Sequence, residues 1–253
     1  MKKKYLLLLL LLLCSCVFTT KPADFISKEI VTDTFTLFTY QKISDTSKPI
    51  KFYIEGDGHA FNFHGQPSND PTPKSDFFKS IAFKDKNSNV VYLARPCQYV
   101  LNKNSLCSKR HWTTARFAPE IIHSMANAIE QIANNNEVIL VGYSGGAQIA
   151  GLVAVLNPNI KIKKIITIAG NLDHLAWTQH HKIMPLSESL NLENYKENFL
   201  QIPQIHYVGN KDKNITYTLV ANFVKNENLI IKVNEASHNF GWEKIIPQII
   251  DEY

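Results

Sequence analysis

Short apolar runs alternate with segments of helical periodicity along most of the sequence, and this alternation constrains the fold more than any other feature. Apart from the first, the predicted strands are four to seven residues long, a length typical of buried strands. Strands that alternate with helices form a mostly parallel, twisted sheet with helices on both faces. We therefore predict an α/β fold in a single domain, residues 29–253. The predicted strands are residues 30–40, which alternate apolar and polar side chains, and 51–54, 90–94, 137–143, 163–169, 205–208 and 229–233; the predicted helices are 76–83, 119–132, 146–156, 215–224 and 242–250.

The N-terminal residues have the pattern of an export signal. Residues 1–4 form a short positive region with three lysines, and residues 6–13 are eight consecutive leucines, too few to cross a hydrocarbon core roughly 30 Å thick. The tetrapeptide that ends at Cys16 resembles the bacterial lipoprotein signal. By that resemblance, residues 1–15 are a lipoprotein signal peptide, Cys16 is lipidated, and residues 16–28 are a lipid-anchored tether. Val17 in place of aspartate implies, by the same resemblance, the outer membrane of the bacterial cell envelope, facing the periplasm. Secretion without a lipid is the alternative.

The charge of the chain argues against nucleic acid as a partner. The formal net charge is +5, from 27 basic and 22 acidic residues. Three of the lysines lie in the predicted signal peptide, which leaves 24 basic against 22 acidic residues. The remaining lysines are scattered, whereas a nucleic-acid-binding protein needs a concentrated basic surface.

The cysteines that remain after the signal region are Cys97 and Cys107. In an exported chain, two cysteines this close together favour a disulfide that closes a surface loop. A zinc site would have to add His111, which gives only three ligands with an untypical spacing. We therefore predict the disulfide and no metal.

A Gly-x-Ser-x-Gly motif, residues 142–146, stands between a predicted strand and a predicted helix. Glycines at these positions allow a strained strand-to-helix turn that exposes the serine hydroxyl above the edge of the sheet. The motif therefore predicts Ser144 as a nucleophile. The alternative is a tight turn in which the serine has no chemical role.

A nucleophilic serine needs a base, and the base needs a carboxylate to orient it. Asp212 follows the predicted strand 205–208, and His238 follows the predicted strand 229–233. Open α/β sheets assemble their sites at the carboxyl ends of strands, so both side chains are expected near Ser144. Asp173, which follows an earlier strand, is an alternative acid, and both Asp212 and His238 could instead be solvated surface groups.

Hydrolysis through a serine also needs backbone amides that bind the developing oxyanion. Gly145, next to the nucleophile, supplies one amide, and the glycine-rich loop after strand 51–54 supplies a second from Asp57 or Gly58. A plain glycine turn is the alternative for that loop. Tyr143 and Trp242 flank the predicted site and are candidates for a substrate pocket, although both could equally belong to the core.

From about residue 51 to residue 241 the chain resembles the α/β-hydrolase superfamily, and more narrowly a group of poorly characterised bacterial α/β-hydrolase lipoproteins. The superfamily implies hydrolysis of an ester or amide through an acyl-enzyme, with Ser144 as nucleophile, His238 as base and then acid, and Asp212 orienting the imidazole. It implies no metal or organic cofactor. The residues that carry the narrower resemblance are Glu55-Gly56-Asp57-Gly58, residues 93–99, His111-Trp112-Thr113, Arg116-Phe117, Asn171-Leu172-Asp173-His174 and Pro185-Leu186.

These features together predict a membrane-anchored serine hydrolase. We expect a carboxylesterase that acts on small or lipid-like esters. An acyltransferase using the same triad and a catalytically silent envelope binding protein are the alternatives. The insertion of about 30 residues between Gly170 and Gln201 is long enough for a small flap but not for a large cap domain. For Arg95, Arg110 and Arg116 we favour structural ion pairs over recognition of an anionic ligand.

Overall fold

A computed structural model of the protein describes residues 20–251. The predicted signal peptide, the predicted lipidation site Cys16 and the first part of the predicted tether lie outside the described residues. Within residues 20–251, no helix combines the length and the apolar character needed to cross a membrane.

Eight strands form one sheet in the order β1-β2-β4-β3-β5-β6-β7-β8. Strand β2 runs antiparallel to both of its neighbours, and the remaining neighbours are parallel. The mostly parallel sheet predicted from the alternation of strands and helices is therefore confirmed. The strands are β1 Ile26–Val31, β2 Thr36–Ile43, β3 Ile50–Ile54, β4 Asn89–Leu93, β5 Val138–Tyr143, β6 Ile162–Ile168, β7 Gln204–Gly209 and β8 Ile230–Val233.

Helices cover both faces of the sheet, as predicted. Successive side chains of a strand point to opposite faces. Thus Phe52 and Ile54 belong to a core with helices α2, α3 and α6, whereas Tyr53 belongs to a second core with α1 and α7. The α-helices are α1 Phe77–Lys84, α2 Pro119–Ala133, α3 Gly145–Leu156, α4 His174–His181, α5 Lys196–Leu200, α6 Tyr217–Val224 and α7 Ile246–Asp251; short 3-10 turns include Leu101–Lys103, Lys109–Trp112, Leu192–Tyr195, Glu227–Leu229 and Glu243–Ile245.

The N-terminal part of the sheet differs from the prediction. A hairpin of β1 and β2 replaces the single strand predicted at residues 30–40, because the Thr32 hydroxyl donates to the Phe35 carbonyl at 2.7 Å and closes a turn. Strand β1 is an edge strand with mostly exposed side chains, so its sequence carries no alternation that would reveal it. Phe25 is fully buried. The folded domain therefore begins inside the predicted tether and not at residue 29.

The segment between β6 and β7 holds two short helices, α4 and α5, and one 3-10 turn. It forms a small flap beside the carboxyl ends of the strands, and the domain has no large cap. The sheet and both cores lie within residues 25–250, so a chain that starts at residue 17 keeps every contact described here.

Candidate active site

Ser144 occupies a sharp turn between β5 and α3. Its backbone has φ 51° and ψ −120°, a strained conformation that costs roughly 1 to 3 kcal/mol. The turn requires glycine on both sides. A Cβ atom on Gly142 would lie 2.5 Å from Ala147 Cα, and one on Gly146 would lie 2.7 Å from the Glu55 carbonyl oxygen. The motif thus forms the predicted elbow and places the serine hydroxyl at the edge of the sheet.

The structure brings the three predicted catalytic residues together. His238 Nε2 lies 3.0 Å from Ser144 Oγ, and His238 Nδ1 lies 2.8 Å from Asp212 Oδ2. A carboxylate can only accept, so Nδ1 carries the proton, and in the neutral ring Nε2 accepts from the serine hydroxyl. A histidine in this arrangement can take the serine proton as the hydroxyl attacks.

The loops after β7 and β8 fix the acid and the base. The second carboxylate oxygen of Asp212 accepts the backbone amides of Asn214 and Ile215 at 2.8 and 2.9 Å. Asp173, the alternative acid, instead caps the N-terminus of α4, where it accepts the amides of Leu175 and Ala176. Asp212 is therefore the carboxylate available to the histidine.

Of the two aromatic candidates for a substrate pocket, Trp242 belongs to the core and does not line the cavity that contains Ser144. Its side chain is fully buried, and its indole N–H donates to the carbonyls of Ser237 at 2.9 Å and His238 at 3.3 Å. The ring packs in the core because its polar atom finds acceptors in the loop it supports. Trp242 thus holds the loop that carries the base.

Tyr143 lines the cavity beside Ser144. Its ring stacks on Phe78, with ring centres 5.2 Å apart, and its hydroxyl donates to the side-chain oxygen of Asn239 and lies 3.2 Å from the His238 carbonyl oxygen. Burial, and then the nearby carboxylates led by Glu55, raise the pKa of Tyr143 far above its ordinary value. The residue therefore acts as a neutral wall of the cavity that also supports the histidine loop.

The sequence analysis missed Asn214, whose side-chain amide nitrogen lies 3.1 Å from His238 Nε2. Its amide oxygen accepts the Trp177 indole N–H at 3.1 Å, which orients the nitrogen toward the histidine. Two donors, the Ser144 hydroxyl and this amide, therefore face the same ring nitrogen. Asn214 lies two residues after Asp212, and this closeness in sequence to the predicted acid is the signal that could have identified it.

The loop after β3 lies directly against the nucleophile. A Cβ atom on Gly56 would come within 3.3 Å of Ser144 Cβ. The Gly56 amide is already bonded to its neighbour, the carboxyl of Glu55, at 2.8 Å. In the described part of the chain, the amides of Asp57 and Gly58 have no hydrogen-bond acceptor. They remain the candidates for the second oxyanion donor, beside Gly145 at the N-terminus of α3.

The side chain of Asp57, unlike its amide, has partners in the described part of the chain. Both of its oxygens form ion pairs, one with Arg95 and one with Arg116, and both arginines are buried. Burial alone would raise the pKa of Asp57, but Arg116 and Arg95 hold it below its ordinary value. Arg110 pairs with Glu120 and Glu188 at the surface. All three arginines thus form the ion pairs favoured by the sequence analysis.

Glu55 is a second buried carboxyl that the sequence analysis missed. It accepts the Tyr92 hydroxyl at 2.7 Å as well as the Gly56 amide. Burial raises the pKa of Glu55 to about 7, although these two hydrogen bonds and the charges of Lys79 and Arg95 oppose the rise. A titrating group therefore lies directly behind the candidate oxyanion loop.

Cys97 and Cys107 are joined by a disulfide. His111, the third ligand of the alternative zinc site, contacts Ser108 and Arg110 through its ring nitrogens. Across residues 20–251, no group of three or more His, Cys, Asp and Glu side chains is arranged to hold a metal ion.

Comparison with known proteins finds similarity at the level of structure. No protein-family model matches the sequence, and no curated protein matches it by sequence. An esterase from Pyrococcus furiosus is 13% identical with a TM-score of 0.59, and the match covers 90% of this chain and 87% of the esterase. An α/β serine hydrolase without lid from Xanthomonas campestris is 11% identical with a TM-score of 0.52, covering 90% of this chain and 91% of that chain. Est1E from Butyrivibrio proteoclasticus is 12% identical with a TM-score of 0.60, covering 89% and 94%. The protein therefore has the α/β-hydrolase fold.

Proposed function

We propose that the protein is a serine hydrolase, a carboxylesterase that cleaves small or lipid-like esters through an acyl-enzyme on Ser144. The observation that carries the proposal is the hydrogen-bonded chain from Ser144 Oγ to His238 and on to Asp212, with distances of 3.0 and 2.8 Å. The similarity in fold to an esterase and to a serine hydrolase supports the same class of reaction.

Acylation begins when Ser144 Oγ attacks the ester carbonyl carbon and its proton passes to His238 Nε2. Asp212 accepts a hydrogen bond from Nδ1–H and stabilises the imidazolium that forms. The carbonyl oxygen becomes negative and is bound by the Gly145 amide and by the amide of Asp57 or Gly58. The bond from carbon to the alcohol oxygen then breaks, and the alcohol leaves with the proton held on Nε2.

Deacylation repeats these steps with water. His238 takes a proton from water as the water oxygen attacks the acyl carbon. The bond from carbon to Ser144 Oγ breaks, and the proton on Nε2 returns to the serine. The net change is ester plus water to acid plus alcohol, so no further reactant is required.

Hydrolysis of p-nitrophenyl esters by residues 17–253 tests this proposal. We expect Ser144→Ala to lower kcat by about 1,000-fold or more, because the nucleophile is lost. Ser47→Ala, which removes an exposed hydroxyl in the turn before β3, serves as the matched control and should keep full activity. A fluorophosphonate probe should label the native protein and not Ser144→Ala. A well-folded protein that neither turns over any ester nor takes up the probe would contradict the proposal.

We also propose that the full chain is anchored to the bacterial envelope through a lipid on Cys16, because its N-terminal residues match the lipoprotein signal. Expression of the full chain in a Gram-negative bacterium followed by fractionation tests this. The wild type and Cys14→Ser should be found with membranes, whereas Cys16→Ser should lose the anchor. Equal fractionation of all three proteins would count against lipidation at Cys16.

A further inference from the structure

An apolar groove of about 700 Å³ lies between the loop after β3 and the flap after β6. Met184 and Ile183 stand at the flap side, with 79% and 48% of their surfaces exposed, and Phe61 faces them from the loop. Exposed apolar side chains that converge on a groove mark a ligand-binding surface. Its apolar wall comprises Ala60, Phe61, Trp177, Ile183, Met184 and Leu186.

The groove offers little to a charged ligand. Arg116 and Asp57 are the charged residues in its lining, and they form an ion pair with each other. The Arg116 guanidinium also lies 5.6 Å from the centre of the Phe61 ring, a cation–π distance. Because these charges are already compensated, the groove favours a neutral, apolar occupant.

The groove adjoins the candidate active site. The cavity that contains Ser144 and His238 has a volume of about 390 Å³, and it shares Asp57 and Gly58 with the groove. Those two residues carry the candidate oxyanion amides. A substituent of a carbonyl bound by those amides would therefore reach the groove by passing Gly58.

A polar depression also adjoins the Ser144 cavity, and it bears on the direction in which a substrate would lie. The cavity shares His59, Pro73 and Lys74 with this depression, which has a volume of about 870 Å³. An alcohol leaves after acylation and water must enter, whereas the acyl group stays bound through both steps. The polar side therefore suits the alcohol, and the apolar groove suits the acyl chain.

We propose that the groove beside Met184 binds the acyl chain of the ester, so that the preferred substrates carry medium or long unbranched acyl chains. This inference rests on the proposed function, since it assigns a subsite to the same Ser144 centre. Each methylene that leaves water is worth about 0.8 kcal/mol, which corresponds to about a four-fold increase in kcat/KM per carbon. The value of kcat/KM should therefore rise from acetate to decanoate.

The first test compares p-nitrophenyl acetate with p-nitrophenyl decanoate, kept below its aggregation limit. The readout is the ratio of the two kcat/KM values, which does not depend on the fraction of active protein. Met184→Glu places a carboxylate in the groove and should lower the decanoate to acetate ratio by about ten-fold or more, because an acyl chain would then cover a charge. Leu175→Glu is the matched control: Leu175 is 44% exposed on α4 of the same flap but lies outside the groove. It should keep the wild-type ratio.

The second test needs no turnover. Binding of the free carboxylates, decanoate and acetate, to the Ser144→Ala variant is measured by calorimetry. The same measurement is made on the Ser144→Ala/Met184→Glu variant. Decanoate should bind, acetate should not, and Met184→Glu should weaken decanoate binding. If the wild type cleaves no ester but decanoate binding still depends on Met184, the groove is supported and the proposed function fails. Two results would overturn the groove as the acyl site. One is a ratio of kcat/KM for the decanoate and acetate esters that Met184→Glu does not change, and the other is the absence of binding of free decanoate to Ser144→Ala.

Discussion

Two carboxyl groups, the buried Glu55 and the quarter-exposed Asp57, flank Gly56 in the turn that touches Ser144, and their surroundings give them opposite protonation preferences. Asp57 is bonded to two guanidinium groups, which hold its pKa below the ordinary value. Glu55 is bonded to a neutral phenol and a backbone amide, and burial raises its pKa to about 7. Substitution of either residue should therefore affect stability in a way that reveals its charge.

For Glu55 we predict a pH-dependent effect on folding. Because the folded state binds the Glu55 proton more tightly than the unfolded state, this group favours folding most below about pH 4.5, and that contribution is lost as pH rises to about 7. The loss corresponds to roughly 3 kcal/mol. Glu55→Gln cannot ionise, so urea unfolding at pH 5 and pH 8 should show the variant gaining about this much relative to the wild type at the higher pH. An equal difference between the two proteins at both pH values would contradict a raised pKa.

For Asp57 we predict a large loss of stability on removal of the carboxylate. Asp57→Ala leaves two buried guanidinium groups without their partner, which typically costs about 3 to 5 kcal/mol of the free energy of unfolding. The matched control is Glu188→Ala, which breaks an ion pair with Arg110 that is over two-fifths exposed on both sides. Urea unfolding should show a loss of about 1 kcal/mol or less for the control. Similar losses for the two variants would show that the Asp57 cluster is not effectively buried.

At the scale of elements, helix α3 connects the nucleophile turn to the core, and its glycines differ in what they face. Gly146 faces the backbone carbonyls of Ile54 and Glu55, whereas Gly151 faces the side-chain end of Leu192. A backbone carbonyl in a central strand cannot move away without disturbing the sheet, but a leucine side chain can change rotamer.

The same substitution at these two positions should therefore have different effects. Gly146→Ala should lower the free energy of unfolding by about 1 to 3 kcal/mol through overpacking and should reduce esterase activity by displacing Ser144. Gly151→Ala brings the gain in helix propensity of any glycine to alanine change, about 1 kcal/mol, and its new methyl group meets a side chain that can move. The free energy of unfolding of this variant should therefore change by about 1 kcal/mol or less. Chemical denaturation of both variants, together with ester turnover, measures the difference. Equal behaviour of the two variants would mean that α3 shifts freely against β3.

The elements that position the proposed triad could be predicted from the sequence because each of its three residues follows a buried apolar run. Parallel strands end at one edge of the sheet, so the residues after β5, β7 and β8 meet there. The strand predicted at residues 205–208 is found at Gln204–Gly209, and Asp212 follows it as expected. The β1–β2 hairpin could not be predicted in the same way, because an exposed edge strand has no hydrophobic pattern.

Residues whose roles depend on contacts between distant elements were beyond sequence reasoning. Asn214, in the loop after β7, is oriented by Trp177 of α4, and Glu55 is buried against Tyr92 of a neighbouring strand. Trp242 is close to His238 in sequence and could belong to either the pocket or the core by sequence alone. An aromatic side chain at such a position can face either the cavity or the core, and only the fold decides.

At the scale of the whole molecule, the disulfide lies in the segment that leads from strand β4 toward the arginines beside the candidate site. Cys97 comes two residues after Arg95, and Cys107 comes before the segment that carries Arg116. The disulfide loop therefore lies in the chain between the two arginines that bind Asp57, two residues after Arg95 and nine residues before Arg116. Because the turn of Asp57 packs against Gly145, the covalent loop supports the candidate oxyanion site through ion pairs.

We predict that loss of the disulfide lowers the stability of the whole domain by about 3 kcal/mol, because the cysteines are ten residues apart and their cross-link restricts the unfolded chain. The measurement is urea unfolding of the wild type with and without a reductant, beside the Cys97→Ala/Cys107→Ala variant. The reduced wild type and the variant should unfold at similar urea concentrations, both well below the oxidised wild type. The reductant should not affect the variant, which serves as the control. Coinciding transitions for the oxidised and reduced wild type would mean that the ion pairs of Asp57 hold this loop without the covalent link.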